Sequence, residues 1–405
     1  MVLAVAVTVA CAASAAGGYL AFSSHPAPGA AAGRAAGRGP AAASPGVSSR
    51  ASGTAASQQA GLRSAGLPRL SLAQLAGQRV IYSYRGLAPP AELLGLIRHG
   101  EAAGVIFFSH NIASQPQIAK VIGELEQANS SPLNPVREPL LLMTDQEGGM
   151  IRRMAGAPLL SERQIGAAGD PAAASSAAGA SAAVNLRAAG MNVNLAPVLD
   201  VYRQPGDFDD QYGRSYSTDS AAVSVLGADF ITAQQHASVA ATAKHFPGLG
   251  AATRKQDTDK VPVTISQPAS VIRSTDELPY KAAIAAGVRL VMLSWAVYPA
   301  LAPGRPAGLS SVIVGDLRRR LGFQGVTITD ALEAGALRPF GTIQNRSRLA
   351  AAAGMDLLLC SQQGYTEGAQ AVAGLEAGYR DGQLGQRAFT AAVQRVLALR
   401  ASLGT

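Results

Sequence analysis

The chain is predicted to fold as an α/β protein of the (β/α)8 TIM-type barrel class, on three observations. Beyond Leu70, eight short apolar runs alternate with helical stretches of about 12 to 25 residues, the pattern of repeated βα units. The runs are apolar almost throughout, which implies a sheet buried on both faces. Polar residues stand at the carboxyl ends of most runs, where a barrel gathers its chemistry. An open doubly wound sheet also accommodates the alternation and remains an alternative at this point.

The N-terminal elements precede the barrel. Residues 1–22, MVLAVAVTVACAASAAGGYLAF, hold no charge and are long enough for a signal peptide or a membrane anchor. Ala13-Ser14-Ala15 offers a small-residue cleavage site, and Thr8-Val9-Ala10-Cys11 is an imperfect lipoprotein box. Residues 23–70 are Ala, Gly, Pro, Ser and Gln with scattered arginines and lack the large apolar side chains that offset ordering entropy. They read as a disordered, flexible linker, which would let an anchored domain stand off a membrane. The barrel domain is assigned to 71–405.

Within it the strands are expected at RVIYSY (79–84), GVIFFS (104–109), LLLMTDQ (140–146), NVNLAPVLD (192–200), VAATAKHF (239–246), RLVMLSW (289–295), GVTITD (325–330) and MDLLLC (355–360). Helical stretches between them include PAELLGLIRHGEAA, PAAASSAAGASAAVNLRAAG, SAAVSVLGADFITAQQHA and ELPYKAAIAAG. His236 falls on one of these crossover helices, and His110 at the end of the second strand.

Composition narrows the function. The net charge of +8 suggests nucleic acid until it is located: Arg34, Arg38, Arg50, Arg63 and Arg69 precede residue 71 with no acid among them, which leaves the domain near +3. That is an ordinary surface, so no nucleic-acid partner is expected. Cys360 sits in an apolar run and reads as a buried structural thiol.

The strand ends supply Asp145, Glu147, Asp200, Lys244, His245, Ser294 and Asp330. A single acid after a strand can merely cap the next helix. Capping does not explain Lys244 and His245, which still precede the turn. The set has no sulfur ligand and no paired zinc histidines, which argues against a transition-metal centre. HExxH, GxSxG, P-loop and GxGxxG patterns are missing too. No cofactor or metal is expected. Carboxylates and cations of this kind suit a sugar, whose hydroxyls they bind and whose oxocarbenium-like centre a carboxylate can attack.

These residues carry a resemblance. TDQEGGMIRRM (144–154), NLAPVLDV (194–201), GRSYSTD (213–219), ATAKHFPGLG (241–250), LSSVIVGDLRRRLGFQGVTITDAL (309–332) and AAGMDLLL (352–359) resemble family-3 glycoside hydrolases of the β-N-acetylhexosaminidase type. The match runs from about Ser71 to Leu403. It implies a retaining exo-glycosidase acting on terminal β-linked N-acetylglucosamine, including that of peptidoglycan, with Asp330 as the nucleophile that forms a covalent glycosyl-enzyme. It also implies that Asp145, Arg214, Lys244 and His245 grip sugar hydroxyls, with Arg153 as a further contact. Asp200 would order the site through hydrogen bonds or touch the sugar directly, and Ser294 joins the substrate-binding set.

The sequence departs from that family in the loop after KHFPGLG. Where the resembling enzymes carry an Asp-Ser-His element whose histidine is the general acid and base, this chain reads AATRKQDTDK, and no histidine follows His245. Asp257-Thr258-Asp259 stands in the corresponding place. Asp259 or Asp257 can serve as proton donor if its surroundings raise its pKa. The alternatives are a donor elsewhere, such as Glu333 or Glu147, or water alone, or else a weakly active or non-catalytic glycan-binding barrel. A β-glucosidase-like specificity is also open. Trp295 is a candidate pocket wall. The expected partner is a carbohydrate, an amino-sugar glycan, and the expected state is an exported, extracellular or cell-envelope monomer, with a membrane tether through the N-terminal segment.

Overall fold

The computed structural model describes residues 70–404, so the leader assigned to 1–22 and nearly all of the linker lie outside the described residues. No helix among the described residues is long and apolar enough to cross a membrane.

All eight apolar runs form strands of one closed parallel barrel: β1 (Val80–Tyr82), β2 (Gly104–Ile106), β3 (Leu141–Thr144), β4 (Val193–Asn194), β5 (Ala240–Phe246), β6 (Leu290–Leu293), β7 (Val326–Ala331) and β8 (Leu357–Leu359). Each pairs with its neighbours in chain order, and β1 closes on β8 through Val80↔Leu358 and Ile81↔Leu359. The open-sheet alternative is thereby excluded.

Period-2 alternation sorts the strand residues. One set points inward and forms a single cluster with Ile81, Ile106, Leu141, Met143, Val193, Leu290, Met292, Val326, Ile328, Leu357 and Leu359. Tyr82, Val105, Leu142, Val291 and Leu358 point outward into the layer beneath the helices. Those helices are α1 (Ala91–Arg98), α2 (Gln115–Asn129), α3 (Pro171–Ala188), α4 (Ser220–His236), α5 (Leu278–Ala285), α6 (Ile343–Ala353), α7 (Tyr365–Arg380) and α8 (Gln386–Ala401). A shorter helical segment, Ser311–Gly315 continued by Asp316–Arg320, links β6 to β7.

Local signals fix where several helices start. Asp170 caps α3 by accepting from Ala173 N at 3.1 Å ahead of Pro171, and Asp219 caps α4 from Ala221 N at 2.9 Å. Thr342 caps α6. That helix stops at Gly354, whose φ of 105° suits a residue without Cβ.

The carboxyl-end loops carry two small hairpins, Gln146–Gly148 with Ile151–Arg152 and Val297–Tyr298 with Ala302–Pro306. The run expected at 140–146 is therefore split: Leu141–Thr144 is barrel strand and Gln146 already belongs to a hairpin over the mouth. The run expected at 192–200 pairs only at Val193–Asn194, because Pro197 removes a donor and turns the chain. It keeps an extended course as far as a bridge between Val198 and Lys244.

Candidate active site

Ile106, Met292 and Leu359 on β2, β6 and β8, with Leu195 directly after β4, form an apolar layer that floors a cavity of about 280 Å³ at the carboxyl end of the barrel. Above that floor the walls are polar. Asp145, Glu147, Arg153, Arg214, Lys244, His245, Asp257, Asp259 and Asp330 all line this one cavity, with Phe108, Phe208 and Tyr212. They arrive from β3 and its hairpin, β5, β7 and three loops, which explains why residues so far apart in sequence meet.

Lys244 is the hub. It is nearly fully buried near the end of β5, its Nζ 2.9 Å from Asp145 Oδ1 and 2.7 Å from Glu147 Oε1. Arg214 binds both oxygens of Glu147 at 2.9 Å and Asp209 Oδ1 at 2.8 Å. Arg153 approaches Asp145 Oδ2 at 3.7 Å. A continuous chain of alternating charge, Arg153–Asp145–Lys244–Glu147–Arg214, thus lines one side, and Asp209 accepts from its Arg214 end. Burial alone would raise the Asp145 carboxyl, but Lys244 and then Arg153 outweigh it and hold the group down at about 2. Asp145 is therefore a charged acceptor at any working pH, and Lys244 stays a cation.

His245 follows Lys244 through a cis peptide bond. Its Nδ1 lies 2.7 Å from Asp200 Oδ2. Asp200 is fully buried and does not reach the cavity; it also accepts the backbone N–H of Leu249 at 2.5 Å. Gly248 has φ 136°, and a Cβ there would stand 2.6 Å from the Asp276 side chain. The Pro-Gly turn thus fits tightly against the helical segment Ile272–Asp276 that precedes α5.

Asp330 ends β7 with its Oδ1 accepting from Ala331 N at 2.7 Å. Burial, then the neighbouring Asp259 carboxylate, pushes it up to about 6. It therefore remains mostly ionised at neutral pH. Asp259 reaches the same cavity from the loop after β5, although the residue as a whole is exposed. Enclosure of its carboxyl, then the charge on Asp257, raises its pKa. The loop is held in place by backbone bonds from Gly335 N to Asp259 O at 2.7 Å and from Ala336 N to Thr258 O at 3.0 Å. Asp257 turns to its own loop, paired with Lys260 at 2.8 Å and accepting Asp259 N at 3.0 Å.

Residues 69–399 match the model of the glycosyl hydrolase family 3 N terminal domain. The chain belongs to glycoside hydrolase family 3. A protein of Arthroderma benhamiae described as an uncharacterized secreted glycosyl hydrolase is 44% identical over 82% of this chain and 94% of its own length. A beta-hexosaminidase of Xanthomonas axonopodis pv. citri is 35% identical over 69% of this chain and 82% of its own. Among solved structures, the family 3 beta-N-acetylglucosaminidase of Paenibacillus sp. str. FPU-7 superposes with a TM-score of 0.77 at 34% identity, covering 83% of this chain and 64% of that one. The beta-N-acetylhexosaminidase of Beutenbergia cavernae gives 0.75 at 30% identity, over 82% and 98%. This family-3 barrel is thus a hexosaminidase-like glycoside hydrolase in sequence and in fold.

Most residues anticipated for the family-3 site meet in the cavity, with two exceptions. Ser294 is fully buried and turns its Oγ to Ala296 N at 3.0 Å, so it does not line the cavity. Asp200 acts from behind, through His245. Trp295, a candidate wall, is also buried: its indole N–H donates to Ala331 O at 2.8 Å and props the residue beside Asp330. His110 stacks on Phe108 with ring centroids 5.8 Å apart, one step back from the cavity. Asp209, Phe208 and Tyr212 escaped sequence reasoning. They lie in DFDDQYG, a loop without periodicity whose acids look like surface solubility, and only their burial reveals them.

Proposed function

We propose that the chain is a retaining exo-glycosidase that releases terminal β-linked N-acetylglucosamine, with Asp330 as nucleophile and Asp259 as general acid and base. The observation that carries this reading is the convergence of an ionised Asp330 and a raised-pKa Asp259 on one floored cavity beside the Lys244 charge chain. Two titrating groups in one cleft with separate roles are the usual glycosidase arrangement. The volume of about 280 Å³ falls just below the range of about 300–1,000 Å³ of drug-sized ligand sites and suits one sugar ring.

The steps follow from the groups present. Asp145, Lys244, His245, Arg214 and Arg153 orient the terminal sugar through its hydroxyls. The Asp330 carboxylate forms a bond to the anomeric carbon as the glycosidic bond breaks, and Asp259 gives its proton to the departing oxygen. Water then attacks the same carbon, losing a proton to Asp259 and releasing Asp330. The amino-sugar specificity rests on likeness to the named relatives. Export rests on the uncharged stretch 1–22 and on the secreted relative, and together these suit a role on cell-envelope glycans, with the linker as a tether.

Aryl β-N-acetylglucosaminide and aryl β-glucoside, compared side by side with Asp330→Ala, test the reading. The N-acetylglucosaminide is expected to be the better substrate by at least about tenfold in kcat/KM, in line with one well-read substituent, and its release to vanish in Asp330→Ala. Sugar binding with no release from either glycoside would make the barrel a non-catalytic glycan binder.

A further inference from the structure

Asp209 has no catalytic assignment, yet it is among the most enclosed acids around the cavity. It is 1% exposed, and Arg214 donates to its Oδ1 at 2.8 Å, whereas Oδ2 has no hydrogen-bond partner among the described residues. Asp200 stands beside it: one carboxylate oxygen of each, with a ring nitrogen of His245, lie within 4.8 Å of one another. Two carboxylates this close in a dry site repel each other, and a proton held on one of them relieves the repulsion. The donors decide which. Asp200 already accepts N–H groups from Leu249 at 2.5 Å and from His245 at 3.3 and 3.4 Å, all of which favour its charged form. Asp209 has the spare oxygen.

We propose that Asp209 is a positioning residue: it holds a proton that it shares with Asp200, and the Asp200 carboxylate so fixed accepts Nδ1–H of His245, leaving Nε2 of a neutral imidazole as an acceptor on the pocket wall. Burial raises Asp209 to about 7 and Asp200 to about 6, and burial lowers His245 to about 4, all in the direction this arrangement needs. Arg214, Lys244 and Asp330 face the trio from the cavity side, and Asp276, Tyr280 and Tyr298 from behind. The consequence is a polarity for recognition. Lys244 and Arg153 offer only donors and Asp145 a charged acceptor, so His245 adds a neutral acceptor on its own wall, to which the hydroxyl facing it must donate. A deoxy or O-methylated sugar at that position then leaves Nε2 unmatched.

The inference rests on the cavity being the sugar site, but its test is read without sugar. The full chain, labelled with 15N in its histidine rings, is examined at pH 7 beside Asp209→Asn and Asp209→Ala, with His245→Gln assigning the signal. A neutral ring protonated on Nδ1 is expected in the unaltered protein and in Asp209→Asn, whose amide oxygen can accept from Arg214 while its NH2 donates to Asp200. Asp209→Ala removes the donor to Asp200, so His245 should take up a proton at higher pH. In kinetics, Asp209→Asn should recover at least about tenfold of the kcat/KM lost in Asp209→Ala, mostly in KM, about the worth of one buried hydrogen bond. A doubly protonated His245 at pH 7, a proton on Nε2, or an Asn variant as impaired as the Ala variant would overturn the proposal. Because the ring spectrum needs no turnover, it can fail while hydrolysis stands, and hydrolysis can fail while it holds.

Discussion

Asp330 and Asp259 differ in what each must be at the working pH. In the proposed mechanism Asp330 must be ionised; burial and then charge on Asp259 raise it to about 6, and because the active form carries a protonated Asp259, the acid limb of kcat/KM is expected at or below pH 6, with activity rising as Asp330 loses its proton. The proposed role of Asp259 needs its proton, so its raised pKa would set the alkaline limb, where activity falls as that proton leaves. Asp259→Asn should abolish the alkaline limb and cost about 10²–10⁴-fold on a poor leaving group, with far less loss on a reactive aryl glycoside. A pH profile of both proteins measures this, and an unchanged profile would remove Asp259 from the reaction. These two acids, Lys244 and His245 were legible because each ends a strand or replaces a known motif residue. Asp209 was not, because nothing local marks DFDDQYG as buried; its role comes from Asp200 and Arg214, 9 and 5 positions away in sequence and in contact only once folded.

The loop after β5 is an element whose placement depends on its neighbour. Gly335 follows β7 and packs so closely that a Cβ would stand 2.1 Å from Lys260 O, while its N–H holds Asp259 O at 2.7 Å. Gly335→Ala must push the loop away and carry Asp259 with it. A fall of at least about tenfold in kcat is expected, since small misplacements of a catalytic group are costly, with the fall concentrated on poor leaving groups. Stopped assays on two aglycones check it, and equal losses on both would show that the loop serves binding rather than proton transfer. Apolar runs made all eight strands readable, but their ends were set by things that periodicity does not see. Pro197 ends the ladder at β4, and the glycines at 148 and 149 turn Gln146–Arg152 into a hairpin over the mouth. The second hairpin, Val297–Tyr298 with Ala302–Pro306, was hidden in a proline-rich stretch that reads as loop.

At the scale of the whole molecule the two ends of the barrel do different work. The amino end is tied by Asp356, fully buried, which binds Arg318, takes Arg395 Nη2 at 2.7 Å and accepts Thr327 N at 2.9 Å. Beside it Arg79 donates to Met355 O at 2.6 Å and lies 4.5 Å over Phe389. Asp356→Ala strands Arg318 without its partner and should cost about 3–5 kcal/mol, read by denaturant unfolding, while the folded fraction keeps its kcat. Loss of kcat without loss of stability would contradict this division of labour. The carboxyl end carries acids held against their preference. Glu367 in α7 is pushed up to about 9 by burial and by Glu333. An acid whose folded pKa is raised contributes stability below its unfolded value, about 4.3, and loses it progressively as pH climbs towards 9. The unfolding midpoint should therefore fall between pH 5 and 9, and Glu367→Gln should flatten that fall; an equal slope in both proteins would contradict the assignment.

The covalent step is the central claim, and trapping tests it most directly. A 5-fluoro N-acetylglucosaminyl fluoride, which forms the glycosyl-enzyme faster than water removes it, is incubated with the protein, and the mass of the peptide holding Asp330 is read after acid quench. One sugar on that peptide, missing in Asp330→Ala, is the predicted result. A protein that turns the reagent over without ever carrying the sugar, or carries it on another residue, would contradict the account.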